Sequence, residues 1–113
     1  SLKRIARYID DGLPVLWVMD SAEAFNDLAN ARTKERKTVT DWAAWKQELA
    51  ADPDGAAITS DGTRAHCTMI IGYNKETGEI AFSDSWGARF TERWVRVEEA
   101  QAVSMGAFHV IGL

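Results

Sequence analysis

His66-Cys-Thr-Met-Ile-Ile-Gly-Tyr-Asn74, followed by Lys75 to Ile80 and then Ala81-Phe-Ser-Asp84-Ser-Trp86-Gly87, is the stretch whose reading decides the fold. Residues 66–73 and 79–84 are rich in β-branched and aromatic side chains, which suit a pleated strand. Asn74-Lys-Glu-Thr-Gly78 between them is turn-like, with Gly78 free to take a positive φ. The stretch predicts a β-hairpin. Alternation along its first strand puts His66, Thr68, Ile70 and Gly72 on one side, and Cys67, Met69, Ile71 and Tyr73 on the other. His66 begins the first strand and Asp84 ends the second, so a hairpin of this length brings an imidazole beside a carboxylate, with Trp86 two residues on.

A carboxylate that accepts a hydrogen bond from one ring nitrogen fixes the imidazole tautomer and stabilises the imidazolium. The other nitrogen is then available to activate a nucleophile. Taken alone, His66 and Asp84 read first as a satisfied structural pair; the wording of the two strands changes the weighting. His66 with Ile70-Ile71-Gly72-Tyr73-Asn74, and Asp84-Ser85-Trp86-Gly87 after it, resemble the papain-like cysteine peptidases. In that family a strand opening on the catalytic histidine is followed by a turn and a strand closing in Asn-Ser-Trp-Gly. Gly12-Leu13-Pro14-Val15 after a short helix is similar to the family's Gly-Pro-Val start of the first β-domain strand. Asp84 stands where Asn is commoner, as in bacterial branches resembling the double-glycine leader peptidases. The match covers residues 1–20 and 64–113, leaving 21–63 outside it.

The resemblance implies His66 as general base and acid, Asp84 as its orienting partner, and Trp86 as the indole that keeps water from their hydrogen bond. It implies no cofactor. It also exposes a gap, because the family's nucleophilic cysteine and oxyanion-hole glutamine lie upstream of this region. The one cysteine here, Cys67, directly follows His66 and so points to the opposite face of the strand, out of reach of the imidazole. Its expected role is a small buried hydrophobe, the alternative being a reactive or metal-binding thiol. The chain therefore reads as the C-terminal, β-rich half of a cysteine peptidase, the nucleophile coming from outside it. The alternative is a non-catalytic papain-like module that binds peptide or protein. A transferase or amidase using the same triad is a third reading. Expected partners are a peptide or protein substrate and either an N-terminal half carrying the cysteine or a second copy.

Composition bounds these readings. At 113 residues the chain is expected to be a single domain with one core, and 46% hydrophobic with 27% charged residues is ordinary for a globular chain. Five tryptophans imply a substantial aromatic core or exposed aromatic patches. A formal charge of −4 and the lack of a basic stripe argue against nucleic acid. No apolar run approaches the length of a membrane span. One cysteine excludes an internal disulfide, and two histidines with no Cys-x-x-Cys or His-x-x-x-His spacing make a zinc site an unattractive reading. Opening at Ser1 without Met is expected of a fragment or processed product.

The remaining segments fill in an α+β arrangement, an antiparallel sheet of about four or five strands with flanking helices. Leu2, Ile5, Ala6 and Ile9 form one stripe of a helix that Gly12 caps and Pro14 stops, with Lys3, Arg4 and Arg7 on its solvated side. Pro14 to Val18 reads as a buried central strand. Residues 20–63 read as a helical insertion: Ser21 capping a helix with Phe25, Leu28 and Ala29, then Ala31 to Lys37 as a solvated charged connection. Thr38-Val-Thr-Asp41 has capping-box spacing before Trp42, Trp45 and Leu49, which are expected in the core or, if the helix borders the cleft, in substrate subsites. Asp52-Pro-Asp-Gly55 and Ser60-Asp-Gly62 are turn signals. Arg93 to Val97 alternates as a strand, Glu98 to Val103 makes a helical turn, and Ala107 to Ile111 forms a last strand beside Val15, with His109 structural.

Overall fold

A computed structural model describes residues 2–13, 15–83, 92–106 and 109–110, the last pair by backbone alone. The elements are α1 (Leu2–Asp10), β1 (Val15–Asp20), α2 (Glu23–Arg36), α3 (Trp42–Ala51), α4 (Pro53–Ala56), β2 (Ala65–Asn74), β3 (Glu79–Ser83), β4 (Arg93–Arg96), α5 (Val97–Val103) and β5 (His109–Val110). The strands form one antiparallel sheet in the order β4-β3-β2-β1-β5. The protein is α+β, an antiparallel sheet with flanking helices. Among the described residues β5 pairs Val110 with Val15 and His109 with Leu16.

The first helix ends as its residues require. Gly12 adopts φ 75°, its amide bonding the Ile9 carbonyl, while the Leu13 amide bonds that of Tyr8. β1 then buries Val15, Trp17 and Met19 on one face, whereas Leu16 and Val18 on the other are only half-buried. The run is thus covered on one side, not on both as its continuous apolarity suggests. The core centres on Trp17, whose ring meets Phe25 edge-on at 5.9 Å and Phe82 edge-on at 5.3 Å. Its indole N–H, which burial would otherwise leave unsatisfied, donates to Ser104 Oγ at 2.8 Å.

The charged stretch from Ala31 to Lys37 is not a connection. α2 runs on through it to Arg36 because two of its cations face inward, one turn apart, toward buried carboxylates. Arg32 grips Glu99 of α5 with two bonds of 2.6 and 2.8 Å and reaches Asp52 at 3.0 Å. Arg36 lies 3.6 Å above the Trp94 ring and bonds Glu79 at 3.3 Å. Thr33 Oγ1, between them, accepts the Trp94 amide at 3.0 Å, so α2 covers the outer edge of β4.

Helix starts also depart from expectation. Ala22, not Ser21, occupies the N-cap of α2 and offers no side-chain bond; Ser21 accepts from Asn26 Nδ2 instead. Asp41 alone caps α3 through the amides of Ala43 and Ala44. Trp45 and Leu49 are buried, and the Trp45 N–H bonds Glu79 at 3.1 Å, so this indole belongs to the core. Asp52-Pro-Asp-Gly55 is the start of α4, with Asp52 accepting the Asp54 amide.

Gly55 packs so closely on the Arg32–Glu99 pair that a Cβ there would lie 2.2 Å from Glu99 Oε2 and 2.7 Å from Arg32 Nη2. Alanine would gain about 1 kcal/mol of helix propensity. Displacing a buried ion pair costs more, so Gly55→Ala should lower stability by about 2 kcal/mol net in urea unfolding. An unchanged midpoint would show that the pair tolerates the methyl. Partial burial acts to raise the Asp52 carboxyl, but the bond from Arg32, the Asp54 amide and the nearby charges of Arg32 and Arg96 together outweigh it and hold the group below its ordinary range. The stability this contributes is present above the unfolded carboxylate pKa and lost as pH falls through the lowered folded value. Asp52→Asn should therefore flatten the acid limb of the stability profile, and an unaltered limb would contradict the assignment.

Candidate functional site

His66 is the second residue of β2 and pairs with Met19 of β1, one register step in from the Asp20–Ala65 pair that ends the ladder. Directly paired residues point to the same side, so His66 shares the face of Met19, Trp17 and Thr68, which is the core face. Thr68 and Ile70 on that face are fully buried, but His66 is exposed, at the end where the core runs out. On the other flank, β3 pairs with β2 from Asn74–Glu79 to Met69–Ser83. β3 therefore leaves the described structure at the same end of the hairpin at which His66 sits. Asp84 and Trp86 follow Ser83 in the chain and lie outside the described residues.

The expected turn is in place, with Gly78 at φ 77° and its amide on the Asn74 carbonyl. One expectation about the strand faces is corrected. A bulge between Ile70 and Gly72 pairs Ile70 with Phe82 but Tyr73 with Ile80. Phe82 and Ile80 lie two apart on one face of β3, so Tyr73 joins the His66–Ile70 face and Gly72 leaves it. Tyr73 Oη, re-aimed in this way, donates to Asp10 at the end of α1, and that bond raises the phenol above its usual range.

Cys67 pairs with Val18 and so lies on the face opposite His66, as alternation requires. It is exposed, not the buried hydrophobe expected, because the outer face of β1 and β2 is only partly covered there. Among the described residues its sulfur makes one hydrogen-bond contact, to the Thr68 carbonyl at 4.0 Å.

Asp20 was not singled out by the sequence, and it holds the approach to His66. The side chain is fully buried, and its Oδ2 accepts from Ser60 Oγ at 2.8 Å, the Asp61 amide at 3.1 Å and the Gly62 amide at 3.0 Å. Ser21 N–H bonds the Arg64 carbonyl at 2.9 Å, continuing the ladder past β2. Asp61 in turn accepts the hydroxyl and amide of Thr63, which holds its carboxyl below the usual range. An acid closing an apolar strand was the only signal available, and it does not say what the acid binds. Buried Oδ1 of Asp20 and Oγ1 of Thr68 have no hydrogen-bond partner among the described residues.

Among the described residues no group of three or more His, Cys, Asp and Glu side chains is arranged to hold a metal ion, and no helix is long and apolar enough to cross a membrane. Comparison with protein-family models, with curated proteins and with solved structures finds no match to this chain.

Asp20→Ala removes three bonds to one oxygen and frees the 60–62 loop. It should cost about 1–3 kcal/mol and speed hydrogen exchange at the Asp61 and Gly62 amides, measured by NMR. Unchanged exchange at both amides would mean that other contacts hold the loop.

Proposed function

We propose that the chain supplies the acid–base half of a cysteine peptidase of papain-like fold, cleaving peptide bonds by acyl transfer. The observation that carries this reading is the register of β2 between its neighbours. Met19–His66 on one side and Met69–Ser83 on the other bring the imidazole and the exit from β3, immediately before Asp84, to one end of the sheet. Antiparallel topology and the Gly78 turn support the likeness of the hairpin wording to that family.

A thiolate attacks the scissile carbonyl, and His66 holds the proton and returns it to the leaving amine. Asp84 fixes the imidazole, and Trp86 excludes water from their bond. Cys67 is excluded as the nucleophile by its place on the opposite face of β2. The thiol therefore comes from outside residues 1–113, on an N-terminal half or another chain. Transferase and amidase chemistry share the first half-reaction, and the acceptor distinguishes them. A non-catalytic papain-like binding module is the second reading, favoured by the fact that Cys67 cannot serve His66.

The test is turnover of a peptide substrate by the complete protein. His66→Ala and Asp84→Ala should each cut kcat by about a hundredfold or more while the unfolding midpoint holds. Cys67→Ser should leave kcat unchanged, and the isolated chain should be inactive. Undiminished turnover in His66→Ala would remove the imidazole from the chemistry. A complete protein without turnover that still binds peptide would favour the module.

A further inference from the structure

α2 and the end of α4 enclose a groove of about 450 Å³. Its helical wall is Ala24, Leu28 and Ala31, spaced four and three residues apart on one face, and its opposite wall is Ala57 and Ile58. These walls are apolar, and alanines stand in them where longer side chains would fill the gap. Its rim is acidic. Asp27, Glu35 and Asp54 are exposed at its margins, and the ion pairs of the described residues use none of them. The one cation in the lining, Arg32, is wholly engaged by Glu99 and Asp52 and neutralises nothing at the rim.

We propose that this groove binds a basic peptide segment, a lysine or arginine laying its aliphatic stem on the alanine and leucine floor with its charged head among the three carboxylates. Charge complementarity selects this occupant. Apolar walls reward an aliphatic stem, and unpaired rim carboxylates reward a cation and repel anionic surfaces. The carboxylates stand apart along the rim and do not converge as a metal site does. The inference is independent of the acyl-transfer reading, since it concerns equilibrium binding on a different face from Cys67 and through none of the residues assigned to chemistry.

The test is fluorescence anisotropy of a fluorescein-labelled peptide alternating lysine and leucine, titrated with the chain as it exists. Saturable binding is expected, weakening as salt rises, because exposed charge pairs are screened. Combined Asp27→Asn, Glu35→Gln and Asp54→Asn should weaken it about tenfold. Ala31→Phe, which fills the groove without touching its charge, should do the same, with unfolding midpoints unchanged in both variants. Equal affinity for a peptide alternating glutamate and leucine, or full affinity in the charge variant, would overturn the proposal. So would light scattering that shows self-association lost in the same variants, which would assign the groove to a second copy presenting Lys3, Arg4 and Arg7.

Discussion

Pairing of His66 with Met19 is the constraint on which the rest of the site depends. Alternation leaves a strand residue only two directions, so this one register decides that the imidazole lies on the core face and the Cys67 thiol does not. A slip by one residue would turn Cys67 to the core face and send His66 to the partly covered side. Asp20 opposes that slip, because its carboxylate grips the loop that delivers the chain to β2. Burial of Thr68 and Ile70 on the same face opposes it too, since both would have to exchange places with Cys67, Met69 or Ile71.

The helices between β1 and β2 do more than fill sequence. α2 lies along the edge of β4, and its two inward arginines bind α5 through Glu99 and β3 through Glu79. Glu79 also accepts from Trp45 of α3 and from Thr77 in the hairpin turn, so the turn end of the hairpin is tied to both helices. Such pairs are retained at a cost in desolvation and are intolerant of losing one partner. What they give here is a fixed frame: the turn end of the hairpin is held by buried charge, and its other end, where His66 is exposed, is held by the Asp20 loop.

Much of the fold was legible because its signals are local. Gly12 and Gly78 demand positive φ, and both take it. The alternation of Arg93 to Arg96 marks a strand, and the apolar run after Pro14 marks β1. What failed was non-local. Arg32 and Arg36 looked like solvent-facing charge because their partners, Glu99 and Glu79, lie far along the chain. The bulge at Ile71 leaves no mark in residue type, and it alone moved Tyr73 to the other face. Cys67 was expected to be buried from the habits of cysteine, whereas its register partner Val18 sits on a face left half open. Of the candidate site, the place of His66 was legible from alternation, and the Asp20 anchor was not.

The central claim is that His66 serves a sulfur that this chain does not contain. Its most direct test is a crystal structure of the complete protein after reaction with a peptidyl chloromethyl ketone, which alkylates an activated thiol. The account predicts a covalent adduct on a cysteine outside residues 1–113, its sulfur within hydrogen-bond reach of one His66 ring nitrogen and the Asp84 carboxylate on the other. An adduct on Cys67, or an imidazole turned away from the modified sulfur, would contradict it.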